Sequence, residues 1–357
     1  MAIPHHTKIH NRFQLNGYSF TPDELKMIGY DFIKEGDYYE RALGEFIMDW
    51  MDNADWINVK TSGSTGAPKE IRLSKQSMVA SAIKTGDYFK IKIGDTALHC
   101  LPTDFIAGKM MLVRAMILGL SLDLKPPSLN PLKDCNREYD FAAMVPLQTQ
   151  NSMNKIRNIK TLIVGGASIS PQLHSALVAN HDHCFETYGM TETITHIAVS
   201  KLSIPKQPFI ALPGVHVSVN ADGCLLIDAP HVTEDTITTN DLVDLIDEKS
   251  FTFKGRKDNV INSGGFKIFP EMVELKLSSA IKNHFFVSGF PDDALGYKLV
   301  MIIEGNVSQI DQINSKIQSC DTLDKFEVPK SLVFINKIET KNGKILRELT
   351  LKINKLI

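Results

Sequence analysis

Apolar positions in this chain switch repeatedly between two periods. Thr21-Pro22 opens a stretch with helical spacing that runs toward Lys34, with Thr21 placed as the N-cap and proline at the first helical position. A second helix is predicted over Asp37 to Trp50, and Ser74 is placed to cap a third through Tyr88. Between them, Trp56-Ile57-Asn58-Val59-Lys60 and Glu70-Ile71-Arg72-Leu73 read as two strands joined by a polar loop. Thr161-Leu162-Ile163-Val164 reads as a buried strand ending at Gly165-Gly166. Ser170-Pro171 then starts a helix toward Asn180, and Cys184-Phe185-Glu186-Thr187 forms the next strand. Strand, glycine turn, helix and strand in that order predict a largely parallel sheet with helices packed on it. Ligands in such folds bind at strand ends, here near Gly165 and Tyr188.

The longest apolar run, Met110 to Leu122, is too short to span a bilayer and contains Arg114, so it predicts a buried helix. From Phe251 onward the pattern changes to short charged strands with a Gly-Gly turn. A helix follows from Pro270, with Met272, Val273, Leu275 and Leu277 as its packing face. The change places a domain boundary at Arg256–Asp258. The predicted class is α/β: a large N-terminal domain, 1–257, with mainly parallel sheets flanked by helices, and a small α+β C-terminal domain, 258–357.

The polar loop carries the first chemical signal. Thr61-Ser62-Gly63-Ser64-Thr65-Gly66-Ala67-Pro68-Lys69 packs hydroxyls, glycines and a lysine into nine residues. Glycines let backbone N–H groups approach an anion, hydroxyls add donors, and Lys69 supplies a compact charge for a terminal phosphate. It is not a GxxxxGK[ST] loop opening a helix, since it joins two strands.

Three later segments complete a set. They are Tyr188-Gly189-Met190-Thr191-Glu192-Thr193, then Asn240-Asp241-Leu242-Val243 with Gly255-Arg256-Lys257-Asp258 through Gly264-Gly265-Phe266-Lys267-Ile268, then Asn342-Gly343-Lys344-Ile345-Leu346-Arg347. With the loop, and in this order from about residue 56 to the C-terminus, they resemble the core motifs of the acyl-adenylate-forming superfamily. The resemblance implies that ATP is bound by Thr61, Ser62, Gly63, Ser64, Thr65, Gly66 and Lys69, with Gly166, Tyr188 and Gly189 also facing the nucleotide. By the same resemblance, Glu192 is the Mg2+ ligand, Thr191 holds phosphate oxygens, Asp241 accepts from the ribose hydroxyls, and Arg256 lies beside the nucleotide. Lys344 matches the mobile lysine that bridges the substrate carboxylate and the α-phosphate. Asp258 matches the hinge about which the small domain swings, and Gly264 and Gly265 lie along the pantetheine arm of CoA.

The chemistry so implied is activation of a carboxylic acid. A carboxylate is a poor electrophile, and transfer to the α-phosphate of ATP gives it a good leaving group. Bringing an anion to a polyanion then requires charge neutralisation in the transition state.

Composition restricts the alternatives. At 357 residues the chain is long enough for about two domains. Its 39 basic and 41 acidic residues create no global field that would recruit nucleic acid or an anionic membrane. Five scattered cysteines without a CxxC pair suit free thiols in a reducing cytosol. The polar stretch from Met1 to Gly17 lacks a signal core, so the expectation is a cytoplasmic enzyme without membrane insertion; a homo-oligomer stays open. His181-Asp182-His183-Cys184 fits no zinc spacing, Ser168 and Ser170 lack a GxSxG context, and Met110-Met111 reads as core filler.

Two departures from the family stand out. Only 60 residues precede the loop, which implies that much of an N-terminal subdomain is replaced by the two short helices. In Leu101-Pro102-Thr103-Asp104-Phe105-Ile106-Ala107-Gly108, Phe105 takes a position where the family often has histidine, so the acyl group is handled differently. The short length, Leu101 to Gly119 and the ending FEVPKSLVFINKIETKNGKILR resemble compact bacterial o-succinylbenzoate–CoA ligases of menaquinone synthesis. Such a substrate carries two carboxylates, so a second cation is expected in the acyl pocket beside Gly165. Lys109 and Arg114 are its candidates, and Arg114 equally fits a cation snorkelling from its helix. The alternatives are another aryl- or acyl-CoA ligase, an adenylating domain that loads a carrier protein, or a nucleotide-binding protein without activity.

Overall fold

The computed structural model describes residues 3–60, 70–341 and 344–357. The phosphate loop Thr61–Lys69 lies outside the described residues, as do Asn342 and Gly343 of the last motif. The two strands flanking that loop, Trp56–Lys60 and Glu70–Ser74, form an antiparallel pair whose register places Lys60 opposite Glu70.

Local capping chemistry sets the N-terminal helices. Helix α1, Pro22–Glu35, begins where the Thr21 hydroxyl accepts from the Glu24 N–H and the Glu24 carboxylate accepts from the Thr21 N–H at 2.8 Å. In α2, Tyr38–Trp50, the Glu40 carboxylate accepts from the Asp37 N–H at 2.8 Å. The two helices meet at Gly29 and Gly44, so closely that a Cβ on Gly44 would lie 2.4 Å from the Gly29 carbonyl oxygen. Helix α3, Lys75–Phe89, is capped by the Ser74 hydroxyl. Helix α4, Ile106–Leu118, is buried along nearly its whole length, Met110 and Met111 included, and stops at Gly119 with φ +73°. Helices α5, Pro146–Asn151, and α6, Pro171–Asn180, follow.

A 13-stranded sheet organises the larger part. One half is parallel: Gln14–Leu15, Ser121–Leu124, Thr96–His99, Tyr139–Met144, Ile159–Val164 and Cys184–Gly189 lie side by side in that order. Alternation sorts their side chains. Phe141, Ala143 and Ile163 pack toward α2, α3 and α4, whereas Ala142, Met144, Leu162 and Val164 pack toward Leu173 and Leu177 of α6. Beyond Cys184–Gly189 the sheet continues antiparallel through His196–Lys201, Phe209–Ala211, Ser250–Arg256, Ile237–Asp247, Cys224–Asp228 and His216–Val219.

A separate five-stranded sheet begins after Arg256. Ile261–Ser263, Phe266–Ile268, Phe285–Asp292 and Gly296–Glu304 are antiparallel, and Ser331–Ile335 joins the last of them in parallel. Helices α7, Pro270–Leu277, and α8, Ile310–Gln318, cover one face. The packing face of α7 is Val273 and Leu277, both fully buried; Met272 and Leu275 are only half-buried, because the i, i+4 pair alone points at the sheet. The other face carries the hairpin Thr340–Lys341/Lys344–Ile345 and helix α9, Arg347–Ile353, over Phe286, Val300 and Ile302.

Among the described residues no helix is long and apolar enough to cross a membrane. His181 is a structural residue: one ring nitrogen lies 2.6 Å from the Ile159 carbonyl oxygen and the other accepts from the His183 N–H. No cluster among the described residues could hold a metal with three or more His, Cys, Asp or Glu groups.

Candidate active site

The parallel strand Cys184–Gly189 ends in a loop built by one threonine. The buried Thr193 hydroxyl accepts from the Met190 N–H at 2.9 Å and contacts the Met190 and Thr195 carbonyls. Ile194 is forced to φ +65°, and Gly189 has no room for a side chain because its Cβ would lie 2.4 Å from the Thr195 carbonyl oxygen. The loop so fixed presents Thr191 and the exposed Glu192.

Tyr188, at the start of that loop, has its ring against Phe209 and Phe251 and donates from its hydroxyl to Asp241 at 2.5 Å. Burial, reinforced by the Asp241 charge, pushes the Tyr188 phenol well above its ordinary range, so it remains a donor. The other oxygen of Asp241 lies 3.3 Å from the Arg256 guanidinium. Arg256 reaches Asp258 at 3.8 Å, and Asn240 donates to the same Asp258 carboxylate at 3.1 Å. Tyr188, Asp241, Arg256 and Asp258 therefore form one continuous charged network.

Lys344 enters from the hairpin packed on the separate sheet. Its side chain reaches solvent, yet the protein crowded around the ammonium lowers its pKa, first by burial and then by the nearby Arg256 charge, with Asp241 and Glu192 opposing. A cation from the C-terminal hairpin thus shares one electrostatic environment with Glu192, Asp241 and Arg256. Three residues on, Arg347 clamps this hairpin to α7. It pairs with both Glu274 oxygens at 2.5 and 2.8 Å and donates to the Val287 carbonyl at 3.0 Å. Gly264 and Gly265, both at positive φ, form the exposed tip between Ile261–Ser263 and Phe266–Ile268. A Cβ on Gly265 would meet nothing within 4 Å.

On the other flank, the strand Ile159–Val164 ends at Gly165 and Gly166. A Cβ on Gly165 would lie 2.2 Å from the Thr187 hydroxyl, and Gly166 adopts φ +85°. Phe105 is the N-cap of α4 and is half-buried. The two cations of α4 meet different surroundings. Lys109 places its ammonium 4.7 Å from the Phe46 ring centre; burial lowers its pKa, and the charges of Asp49, Asp104 and Glu45, none of them within ion-pair distance, oppose that only in part. Arg114 does not snorkel: it is 2 % exposed, and burial lowers its pKa to about 10. It donates to the Thr195 hydroxyl at 2.8 Å and touches Met111 sulfur at 3.7 Å, while its Nε has no partner. Among the described residues no carboxylate lies within ion-pair distance of it.

Comparison with known proteins identifies the family. Residues 59–226 match the model of the AMP-binding enzyme family. An acyl-CoA synthetase (AMP-forming)/AMP-acid ligase II-like protein from Dyadobacter fermentans is 32% identical over 92% of this chain and 98% of its own, with a TM-score of 0.59. The chain belongs to the AMP-binding enzyme family. A 2-succinylbenzoate–CoA ligase of Bacillus cytotoxicus is 24% identical over 92% of this chain and 76% of that enzyme. The o-succinylbenzoate–CoA synthetase of Bacillus subtilis, solved with its acyl-adenylate intermediate, shares the fold at a TM-score of 0.72 and 22% identity, covering 85% of this chain and 73% of that one.

In this AMP-binding enzyme the motif residues Tyr188, Glu192, Asp241, Arg256 and Lys344 converge from four separate segments. Two neighbours escaped the sequence reading. Thr195 and His196 lie just past the Tyr188–Thr193 motif, after Ile194, and line the inner side of the same loop. Their signal was a polar pair opening an otherwise apolar strand, Ile197-Ala198-Val199.

Proposed function

We propose that this AMP-binding enzyme joins a carboxylic acid to CoA through an acyl-adenylate, and that the acid is 2-succinylbenzoate, as the curated relatives' names indicate. What supports the first part is that the Lys344 ammonium, on a hairpin of its own, feels the charges of Arg256, Asp241 and Glu192. One oxygen of the acid attacks the α-phosphorus of ATP as the bond to pyrophosphate breaks. Lys344, a cation on a separate hairpin, neutralises charge that develops between the two anions. Asp241, accepting already from Tyr188, takes the ribose hydroxyls, and Arg256 lies beside the nucleotide. Glu192 is an exposed oxygen donor suited to Mg2+, which supplies neutralisation of phosphate charge when bound. In the second step the CoA sulfur attacks the acyl carbon, the bond to AMP breaks, and the thiol proton is lost to solvent.

The division into 1–257 and 258–357, with Asp258 as the hinge, belongs to the same proposal. It is supported by the separate sheets and by the contacts of Asp258 with Asn240 and Arg256. Rotation about this point would withdraw Lys344 and bring Gly264-Gly265 toward CoA. A cytoplasmic setting fits the five free thiols.

The choice of acid rests on Arg114. A buried guanidinium without a counter-charge is unfavourable, and a substrate carboxylate would relieve it. Lys109, already among carboxylates, is set aside as the second cation. Pyrophosphate release is the test, measured with 2-succinylbenzoate and with mono-acids, with and without CoA. Release dependent on 2-succinylbenzoate together with formation of its CoA thioester supports the assignment; release with a thioester formed only on a carrier protein would replace it.

A further inference from the structure

Arg114 is held by a hydrogen-bond chain whose polarity can be worked out completely. An arginine only donates, so the Thr195 hydroxyl must accept from it at 2.8 Å. That hydroxyl has one proton left to give, and the Nδ1 of His196 lies 3.3 Å away. Nε2 lies 3.4 Å from the Thr85 hydroxyl, which in turn donates to the Ser81 carbonyl oxygen at 3.0 Å. Thr85 spends its own proton on Ser81, so at its contact with His196 the ring Nε2 must donate, and in the neutral ring Nδ1 is then the unprotonated nitrogen that accepts from Thr195. The chain thus runs from Arg114 through Thr195, His196 and Thr85 to Ser81, and each member donates to the next. Thr85 and His196 are both buried. Burial, and next the Arg114 charge, hold the His196 pKa well below its usual value, so the ring stays neutral and the direction of the chain does not reverse.

We infer that Thr195 and His196 are positioning residues for acid selection: they aim Arg114 at the second carboxylate of the substrate. This rests on the assignment of Arg114 under the proposed function and extends it to residues that touch no reacting atom. Thr195 belongs to the loop that presents Thr191 and Glu192, and Thr193 closes that loop on the Thr195 carbonyl. Recognition of the second carboxylate is thereby tied to the segment beside the nucleotide.

The test compares 2-succinylbenzoate with 3-benzoylpropionate, which lacks only the aromatic carboxylate, as the ratio of their kcat/KM values. Thr195→Val keeps the side-chain shape and removes the hydroxyl; the ratio should fall about tenfold, the scale of one hydrogen bond to a charged group. Thr195→Ser keeps the hydroxyl and should hold the ratio within about twofold of wild type. His196→Phe, beside the existing Phe89 ring, should behave like Thr195→Val. Arg114→Met is the reference. If it lowers the ratio while Thr195→Val does not, or if Thr195→Val costs both acids equally, the positioning role is overturned and the Arg114 assignment survives. If Arg114→Met itself leaves the ratio unchanged, both fall.

Discussion

The two flanks of this cleft treat charge in opposite ways. On the flank that we propose holds the nucleotide, the buried charges are already paired: Asp241 has Tyr188 and Arg256, and Arg256 has Asp258 as well. On the flank that we propose holds the acyl group, Arg114 is buried with one hydroxyl, one sulfur and no acid among the described residues. A pre-paired site exchanges partners when ligand arrives, so its net gain is modest. A buried cation without an anion is a cost carried by the folded state, recovered only when an anion of the right shape enters. The first flank should therefore tolerate variation in its ligand, whereas the second should discriminate.

The severest way to probe that contrast is to remove the cation that serves both flanks. Lys344→Ala should lower the adenylation rate by about 10²–10³-fold, the scale of losing one charge-stabilising donor. Single-turnover pyrophosphate release measures it, and a near wild-type rate would remove Lys344 from the reaction. Next comes Asp241→Ala, which takes a charged acceptor from the pre-paired network. ATP affinity by calorimetry should drop by about 1.5–3 kcal/mol. Tyr188→Phe asks whether pre-pairing itself matters. The hydroxyl is exchanged rather than gained on binding, so ATP affinity should shift by no more than about 1 kcal/mol; a loss as large as that of Asp241→Ala would mean that the tyrosine contacts the nucleotide directly. The smallest effect belongs to Lys109→Met. Its ammonium is already among Asp49, Asp104 and Glu45, so KM for the acid should stay within about twofold and stability should change by about 0–1 kcal/mol. A large rise in KM would return Lys109 to the acyl site and erase the contrast.

How much of this was legible in the chain depended on how far apart the partners lie. Thr21, Ser74 and Ser170 cap the helices they were expected to cap, because a cap is settled within three or four residues. The short apolar run Thr161–Val164, closed by Gly165-Gly166, identified a buried strand for the same local reason. The motif residues could be named in advance through their spacing. The choice between Lys109 and Arg114 could not be made, because it turns on Phe46 and Asp49, roughly sixty residues earlier in α2, and on Thr195, 81 residues later. The antiparallel half of the large sheet was equally hidden. Its longest strand, Ile237–Asp247, mixes charged and apolar positions, and its neighbours in the sheet lie far from it in the chain or across turns.

The close meeting of Gly29 and Gly44 has a reach beyond the two helices it joins. It fixes how deeply α2 seats, and α2 brings Phe46 and Asp49 over Lys109. A single methyl at position 44 would strike backbone rather than a movable side chain, so the helix itself would have to ride outward. Lys109 would then lose the ring and the carboxylate that α2 holds near it. The surroundings of that cation are in this sense governed by a hydrogen atom standing where a methyl group would not fit.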